Sequence, residues 1–355
     1  MIRHLLAPAL GLALGACSAP RRSSAPVAPV APGAASAPPH GGRAPLTAGR
    51  FAWQSPLGRD HPLAGRIWSR GRWITEGELA AEARGARYVL LGERHDNPDH
   101  HALQARLVGV VAAGGRRPIV AWEMIEAGQQ RELDAFVAAH PTDVAGLGTA
   151  LRWRERGWPA WSLYQPVVAE AQRYGLPLRG AAMPDARARA IAKEGLAAIE
   201  PERVVALGLD RPLDPSLGAS LRSELVASHC GMLPERAVAT MAVAQRARDA
   251  ELAVRLAEGD RGGGGILIAG AGHVRVDRGV PAVLRARSPG ASILSVAFIE
   301  VEAAKASPEA YADAFFAPSL PFDAVWFTPG VEADDPCEGF RTKPASPRAP
   351  EVSPP

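Results

Sequence analysis

Acidic and imidazole side chains stand at the ends of short apolar runs in this sequence, where a chemical site could form. The four of interest are Glu93, His95, Glu123 and His273. Any one of them alone is usually a helix cap or a solvated group, but several that share a site perturb each other's pKa values. Such a cluster can act by general acid–base catalysis or bind a divalent metal that activates water. These four are therefore the candidate catalytic residues if the protein is a hydrolase.

Further polar side chains could belong to the same site. His100 and His101 fall in the first turn of a predicted helix, where a histidine is either exposed or a ligand. Arg248 lies on a long predicted helix whose apolar stripe is also interrupted by Gln245 and Asp249. Such a polar face either completes a buried network or points into the site, and the sequence leaves both alternatives open.

Common catalytic and cofactor motifs are absent from the sequence. It contains no phosphate-binding glycine loop, no serine elbow, no His-Glu-x-x-His helix and no Cys-x-x-Cys-His haem attachment motif. The 40 basic and 37 acidic side chains leave a net charge of +3, which gives no electrostatic case for nucleic-acid binding. Nucleotide binding, covalently attached haem and nucleic-acid partners are therefore not expected.

The order of elements predicts where the candidate residues meet. Between residues 51 and 328, short apolar runs alternate with amphipathic stretches. This alternation predicts an α/β fold, in which helices flank a central, mostly parallel sheet, with a helical insertion or cap in the less regular segment 195–229. The predicted strands are 88–91, 118–124, 178–182, 265–269, 292–301 and, at an edge, 323–327; the predicted helices are 98–113, capped by Asn97, 127–139, 162–174, 184–195 and 234–257. Ligands bind at the carboxyl ends of such strands, so we expect the candidate residues to share one edge.

Both ends of the chain differ in composition from the middle. Residues 1–17 combine a basic start, an apolar run and a cysteine, which is typical of a secretory signal. The last four of these residues match a lipobox, so we expect Cys17 to be acylated and to anchor the chain to the outer membrane by lipid. Residues 18–50 read as a disordered Ala/Pro-rich tether, 51–329 as the folded domain and 330–355 as a disordered Pro-rich tail.

Two cysteines remain beyond the lipobox, Cys230 and Cys337. An exported compartment would allow them to form a disulfide. The sequence alone does not establish that they meet, so a disulfide and two free thiols are both left open.

Five segments, taken in order, resemble the ChaN-type haem-binding uptake lipoproteins, a family grouped with Tiki peptidases and erythromycin esterases. The segments are 92–101, 122–130, 161–178, 244–249 and 270–275. They span roughly Tyr88 to Leu284, and their order makes the resemblance specific although each one alone is weak. The resemblance implies that the shared site of the superfamily falls on the same four residues that end the predicted strands.

The resemblance also implies a haem-binding function. It implies a non-covalent haem with a tyrosine on the iron, basic groups on the propionates and cofacial haems at a homodimer interface. Tyr164 lies in a matched segment and is the predicted iron ligand, with a helix-core role as the alternative. The predicted haem-binding residues are Tyr164, His100, His101, Arg248 and His273. Whether haem and the acid–base cluster share one pocket stays open.

The leading hypothesis is therefore a haem-binding outer-membrane lipoprotein that acts in haem or iron uptake, without enzymatic activity. Its expected partners are haem and an outer-membrane haem receptor. The alternative is an esterase- or peptidase-like hydrolase that uses the four candidate residues, with or without a divalent metal. No metal site is predicted outside that alternative.

Overall fold

One mixed sheet of eight strands lies at the centre of residues 51–332, which the computed structural model describes together with Cys337. The predicted signal peptide, the acylation of Cys17 and the tether lie outside these residues. The strands are β1 (Ile67–Ser69), β2 (Arg72–Ile74), β3 (Tyr88–Glu93), β4 (Ile119–Glu126), β5 (Leu178–Ala182), β6 (Gly265–Gly270), β7 (Ile293–Glu300) and β8 (Ala324–Thr328). Their order across the sheet is β2-β1-β8-β7-β3-β6-β4-β5.

The sheet is parallel except at one edge. Strand β3 pairs in parallel with β6 and β7, β4 pairs in parallel with β5 and β6, and β7 pairs in parallel with β8. The carboxyl ends of β3, β6 and β4 consequently lie side by side. The prediction of an α/β fold with a mostly parallel central sheet is confirmed.

The prediction that residues 323–327 form an edge strand is wrong. Strand β8 is internal, because β1 pairs with it in antiparallel orientation and β2 pairs with β1 to form an edge hairpin. Each hairpin strand has only three residues. A run this short shows no recognisable period-two pattern, and for this reason the sequence did not reveal the hairpin.

Helices cover both faces of the sheet. They are α1 (Glu76–Gly85), α2 (Pro98–Ala113), α3 (Gln130–Ala139), α4 (Val144–Ala150), α5 (Trp161–Arg173), α6 (Asp185–Glu194), α7 (Pro201–Ala206), α8 (Pro215–Ser228), α9 (Glu235–Gly259) and α10 (Val280–Arg287). Helix α2 begins as the sequence predicts: Asn97 is the N-cap, its side chain accepts a hydrogen bond from Asp99 N at 2.9 Å, and Pro98 is the first helical residue. The segment 195–229 is helical, and α7 and α8 form the predicted cap.

The core forms two layers, one on each face of the sheet. Along β3, Val89 and Leu91 pack into the layer under α1, α2 and α5, whereas Tyr88 and Leu90 pack into the layer under α9 and α10. This alternation follows from the two-residue period of a strand. Because both faces of β3 are buried, polar side chains can reach solvent only near the ends of the strands.

The outer edge of β5 is covered by a side chain rather than by another strand. Gln130, the first residue of α3, accepts a hydrogen bond from Gly180 N at 2.9 Å and donates one to Leu178 O at 3.1 Å. The amide group of one glutamine thus satisfies a backbone donor and a backbone acceptor that would otherwise face outward.

Two contacts extend the folded domain past the predicted boundary at residue 329. Leu57 and Gly330 exchange backbone hydrogen bonds of 3.0 and 2.8 Å. Cys230 and Cys337 form a disulfide with a Cα–Cα distance of 5.4 Å, so the structure selects the paired alternative for these cysteines. The other residues beyond 332 in the predicted tail lie outside the described residues. Within the described part of the chain, none of the helices is long and apolar enough to cross a membrane.

Candidate functional site

The candidate residues meet at one edge of the sheet, as predicted. Glu93 is the last residue of β3, Glu123 lies in β4 just past its pairing with β6, and His273 lies in the 3-10 turn Ala271–Val274 that follows β6. Gly92 allows this turn to pack against β3, because a Cβ atom at Gly92 would overlap the side chain of Val274. We refer to Glu93, His95, His101, Tyr164, Glu123, Asp249, His273 and Arg248 together as the edge cluster.

Glu93 holds one half of the edge cluster together. Its Oε1 lies 2.9 Å from His95 Nδ1 and accepts a hydrogen bond from the Tyr164 hydroxyl at 3.0 Å, and its Oε2 lies 3.0 Å from His101 Nδ1. Burial raises the pKa of Glu93, but the charges and hydrogen bonds of the two imidazoles outweigh burial and lower it to about 2. Glu93 is therefore a buried carboxylate that is ionised at neutral pH.

Glu123 organises the other half. Its Oε1 lies 3.0 Å from His273 Nε2 and accepts a hydrogen bond from Arg248 at 2.7 Å, and its Oε2 accepts one from Gly270 N at 2.7 Å. His273 Nδ1 in turn lies 2.6 Å from Asp249 Oδ1. The two halves approach each other where His95 Nε2 lies 4.0 Å from Glu123 Oε2.

His273 carries a positive charge at neutral pH. Burial lowers its pKa, but the charges of Glu123 and Asp249 and the hydrogen bonds to them raise it to about 9. An imidazolium between two carboxylates stabilises both of them, and it cannot accept a proton until the pH rises past that value. The geometry thus gives His273 the role of an internal counter-ion.

This charge state predicts a pH dependence of stability. Because the pKa of His273 is higher in the folded protein than the ordinary value of 6.5, its stabilising effect is fully present below pH 6.5 and is lost as pH rises through about 9. We compare the free energy of unfolding of wild type with that of His273→Gln between pH 6.5 and about 9. We expect the advantage of wild type over the variant to be about 3 kcal/mol larger at the acidic end of this pH range than at the alkaline end. Urea unfolding of both proteins across the interval measures the difference, and the exposed His140→Gln serves as control. A difference that does not vary with pH would contradict this assignment.

The polar face of α9 completes the buried network. Arg248 and Asp249 bind Glu123 and His273 respectively, and Gln245 Nε2 lies 3.2 Å from His273 Nδ1. Of the two alternatives left open by the sequence, the structure selects the buried network. Asp249 was recognised from the sequence only as an interruption of the apolar stripe; its pairing with His273 spans 24 residues and leaves no local signal.

His100 stands apart from the edge cluster, and its predicted contact with haem stays a prediction. Its Nδ1 accepts a hydrogen bond from Arg94 N at 2.9 Å, and its Nε2 lies 2.9 Å from Thr328 Oγ1. Burial and the neighbouring charge of His101 lower the pKa of His100 to about 3. His100 is therefore a neutral core histidine that uses both nitrogens to join α2 to β8.

Tyr164 lies in the helix core, the alternative given for it above, and its role as iron ligand stays a prediction. It is fully buried, its ring packs near Trp153 and Trp122, and its hydroxyl donates to Glu93. Burial and the charge of Glu93 raise the pKa of Tyr164 well above 10. Since a tyrosine binds ferric iron as the phenolate, both the burial and the pKa oppose that role.

Little of the edge cluster is accessible to a large ligand. His101 and His273, two other predicted haem contacts, are buried. Only Arg248, with 33% of its side chain exposed, and His95, with 20%, reach the surface. The His95 ring also contacts Trp158 edge-on, with centroids 5.1 Å apart. Within residues 51–332, no group of three or more histidine, cysteine, aspartate or glutamate side chains is arranged to hold a metal ion.

The fold and the edge cluster define an α/β protein with a polar site at the carboxyl ends of its parallel strands, and a family model identifies the class. The model described as "Haem-binding uptake, Tiki superfamily, ChaN" matches residues 79–284, which is more than half of the chain. The chain belongs to this haem-binding family, as the resemblance of the five segments indicated.

A solved structure shows the same fold. ChaN of Campylobacter jejuni, described with cofacial haem binding, has a TM-score of 0.56 and 18% sequence identity, and the likeness covers 73% of this chain and 95% of that one. A mutant of the erythromycin esterase EreC in its open conformation has a TM-score of 0.38 and 15% identity over 63% of this chain and 72% of that one, and it adds nothing to the assignment. A search of curated proteins gives no match.

Proposed function

We propose that this protein is a haem-binding lipoprotein of the outer membrane that acts in haem or iron uptake. The observation that carries the proposal is the match of residues 79–284 to the haem-binding uptake family. The signal sequence and lipobox at residues 1–17 support export and a lipid anchor at Cys17. Membrane fractionation of wild type and Cys17→Ala tests this anchor, since the variant is expected to leave the membrane fraction.

We propose in addition that the partners are an outer-membrane haem receptor and a second copy of the chain. The description of Campylobacter jejuni ChaN as a protein that binds haem cofacially supports the second of these. When two haems stack face to face, the protein can supply an axial ligand to each iron only on the outer face of the haem. A site that binds haem through one face meets this requirement.

The hydrolase alternative is not favoured. The family to which the chain belongs is described by haem binding, and the charged His273 is unsuited to act as a general base at neutral pH. The ion pairs of Glu93 with His95 and His101, and of Glu123 with His273, instead fix the ends of β3 and β4 and the turn that follows β6. The edge cluster therefore contributes to the stability of the scaffold that presents the haem site.

The direct test is a hemin titration of the purified full-length protein in detergent. We expect a saturable change of the Soret band with one hemin per chain, measured against a blank with the same detergent. Tyr164→Phe is expected to bind hemin with an affinity within about threefold of wild type, because the hydroxyl is buried and bonded to Glu93. A wild-type titration without a spectral change at micromolar hemin would refute the proposed function.

A further inference from the structure

A groove lies on the helical cap. Its volume is about 580 Å³, which is within the range of ligand pockets. Its walls are formed by α8, by the disulfide and by the residue that follows the 3-10 turn 308–315, and they include Arg222, Val226, Ala227, Cys230, Cys337 and Phe316. None of the edge-cluster residues is among these walls. We call this feature the cap groove.

The walls of the cap groove are mostly apolar and carry one cation. Val226, Ala227 and the ring of Phe316, which is 40% exposed, supply the apolar part. Arg222 is exposed, and it forms no ion pair and no side-chain hydrogen bond with any residue in 51–332. Covering apolar surface is favourable, and a guanidinium pairs well with a carboxylate. The cap groove therefore fits a segment that supplies an apolar side chain together with a carboxylate.

The disulfide brings the start of the predicted tail to the cap groove. Cys337 is itself a wall residue and is bonded to Cys230, two residues past the end of α8. The next residues in the sequence are Glu338, Gly339 and Phe340, and Phe340 is the only aromatic residue in 338–355. Three residues of extended chain span at most about 10 Å, so Phe340 stays near the groove. An aromatic side chain and a carboxylate are thus both tethered at its wall.

A tethered segment has an advantage over a partner from solution. A short linker holds its ligand at an effective concentration on the order of millimolar, which a separate partner of equal affinity would have to match. A second copy of the chain would have to bury about 800 Å² on each side to form a stable interface, which is more than the walls of a groove of 580 Å³ offer. The chain's own tail is therefore the occupant that the cap groove favours.

We propose that residues 338–340 of the same chain dock in the cap groove. The Phe340 ring covers the apolar side chains of α8 and Phe316, and the Glu338 carboxylate pairs with Arg222. The docked segment also shields the Cys230–Cys337 disulfide, because that bond forms a wall of the same groove. This inference is independent of haem binding.

Photocrosslinking in the full-length protein tests where Phe340 lies. The variant Phe340→p-benzoylphenylalanine is irradiated in detergent, and the crosslinked peptides are mapped by mass spectrometry. We expect the crosslinks to fall on α8 and on Phe316 of the same chain. Val352→p-benzoylphenylalanine carries the same probe further along the tail and is the matched control, which should give no preferred site.

The rate at which the disulfide is reduced in the native protein tests the shielding. A neutral phosphine reduces the bond to two thiols and becomes the phosphine oxide, with the oxygen and both protons supplied by one water molecule. We expect the disulfide of Phe340→Ala to be reduced about tenfold faster than that of wild type, because the variant loses the aromatic area that holds the segment in the groove. Val352→Ala should match wild type, and circular dichroism shows that each variant is folded.

Exchange of the two charges tests the ion pair. Glu338→Arg, introduced into the photocrosslinking variant, is expected to lower the yield of crosslinks to α8. Arg222→Glu added to the same protein should restore the yield, since the pair is then formed in the opposite sense.

The results that would overturn the inference differ from those that bear on haem binding. Crosslinks from position 340 that scatter along the chain, or a rate of reduction of Phe340→Ala equal to that of wild type, would show that the tail does not dock. A covalent dimer would assign the cap groove to a second copy of the chain instead. None of these outcomes changes the hemin titration, so the proposed function is decided separately.

Discussion

Glu93→Ala is expected to lower the free energy of unfolding by about 3–5 kcal/mol. The variant leaves His95 Nδ1 and the Tyr164 hydroxyl without their shared acceptor in the protein interior, and it leaves His101 without its charged neighbour. Removing one partner of a buried charged pair costs more than the pair itself contributes, because the remaining charge stays buried without compensation. Urea denaturation followed by circular dichroism at neutral pH measures the loss.

Two variants serve as comparisons for Glu93→Ala. Glu93→Gln keeps an oxygen acceptor for the Tyr164 hydroxyl but removes the charge. We therefore expect its free energy of unfolding to lie between those of wild type and Glu93→Ala. Glu132→Ala removes an exposed carboxylate in the first turn of α3 and should change stability by less than about 1 kcal/mol. If Glu93→Ala proved as stable as this control, Glu93 would not organise the edge cluster.

Removal of the Cys230–Cys337 disulfide is expected to cost about 2–5 kcal/mol. The bond closes a segment with a sequence separation of 107 residues, and a loop of this length restricts the unfolded chain strongly. The double variant Cys230→Ser/Cys337→Ser and wild type in reductant should therefore unfold at similar, lower urea concentrations. Reductant should leave the double variant unchanged. The thiols of denatured wild type can also be counted without prior reduction. Two reactive thiols, in addition to any from Cys17, would show that the disulfide does not form.

Elements with a local signal were predictable from the sequence. Strands β3 and β5 were visible as short apolar runs with helix or strand breakers at their ends. Helix α2 was visible from its Asn-Pro start. The hairpin of β1 and β2 carries none, since its strands are too short for a periodic pattern and its position depends on pairing with β8 more than 200 residues away.

The meeting of the candidate residues was predictable, but their accessibility was not. Parallel strands bring their carboxyl ends to one edge, so Glu93 and Glu123 had to lie near each other once the strands were recognised. Whether Tyr164 reaches solvent depends on how α5 packs against the residues near Trp153, and no pattern within either segment records this packing. The sequence therefore placed Tyr164 and His100 on helices, as the structure has them, but gave no sign that both are buried.

The hydrogen bonds from Gln130 to β5 bear on the behaviour of the protein at high local concentration. A strand with free backbone groups at the border of a sheet can recruit a strand from another molecule and start intermolecular sheet growth. Gln130 occupies Gly180 N and Leu178 O, the two groups that an incoming strand would have to use first. Many copies crowded together could thus come into contact along this border without merging their sheets into an aggregate.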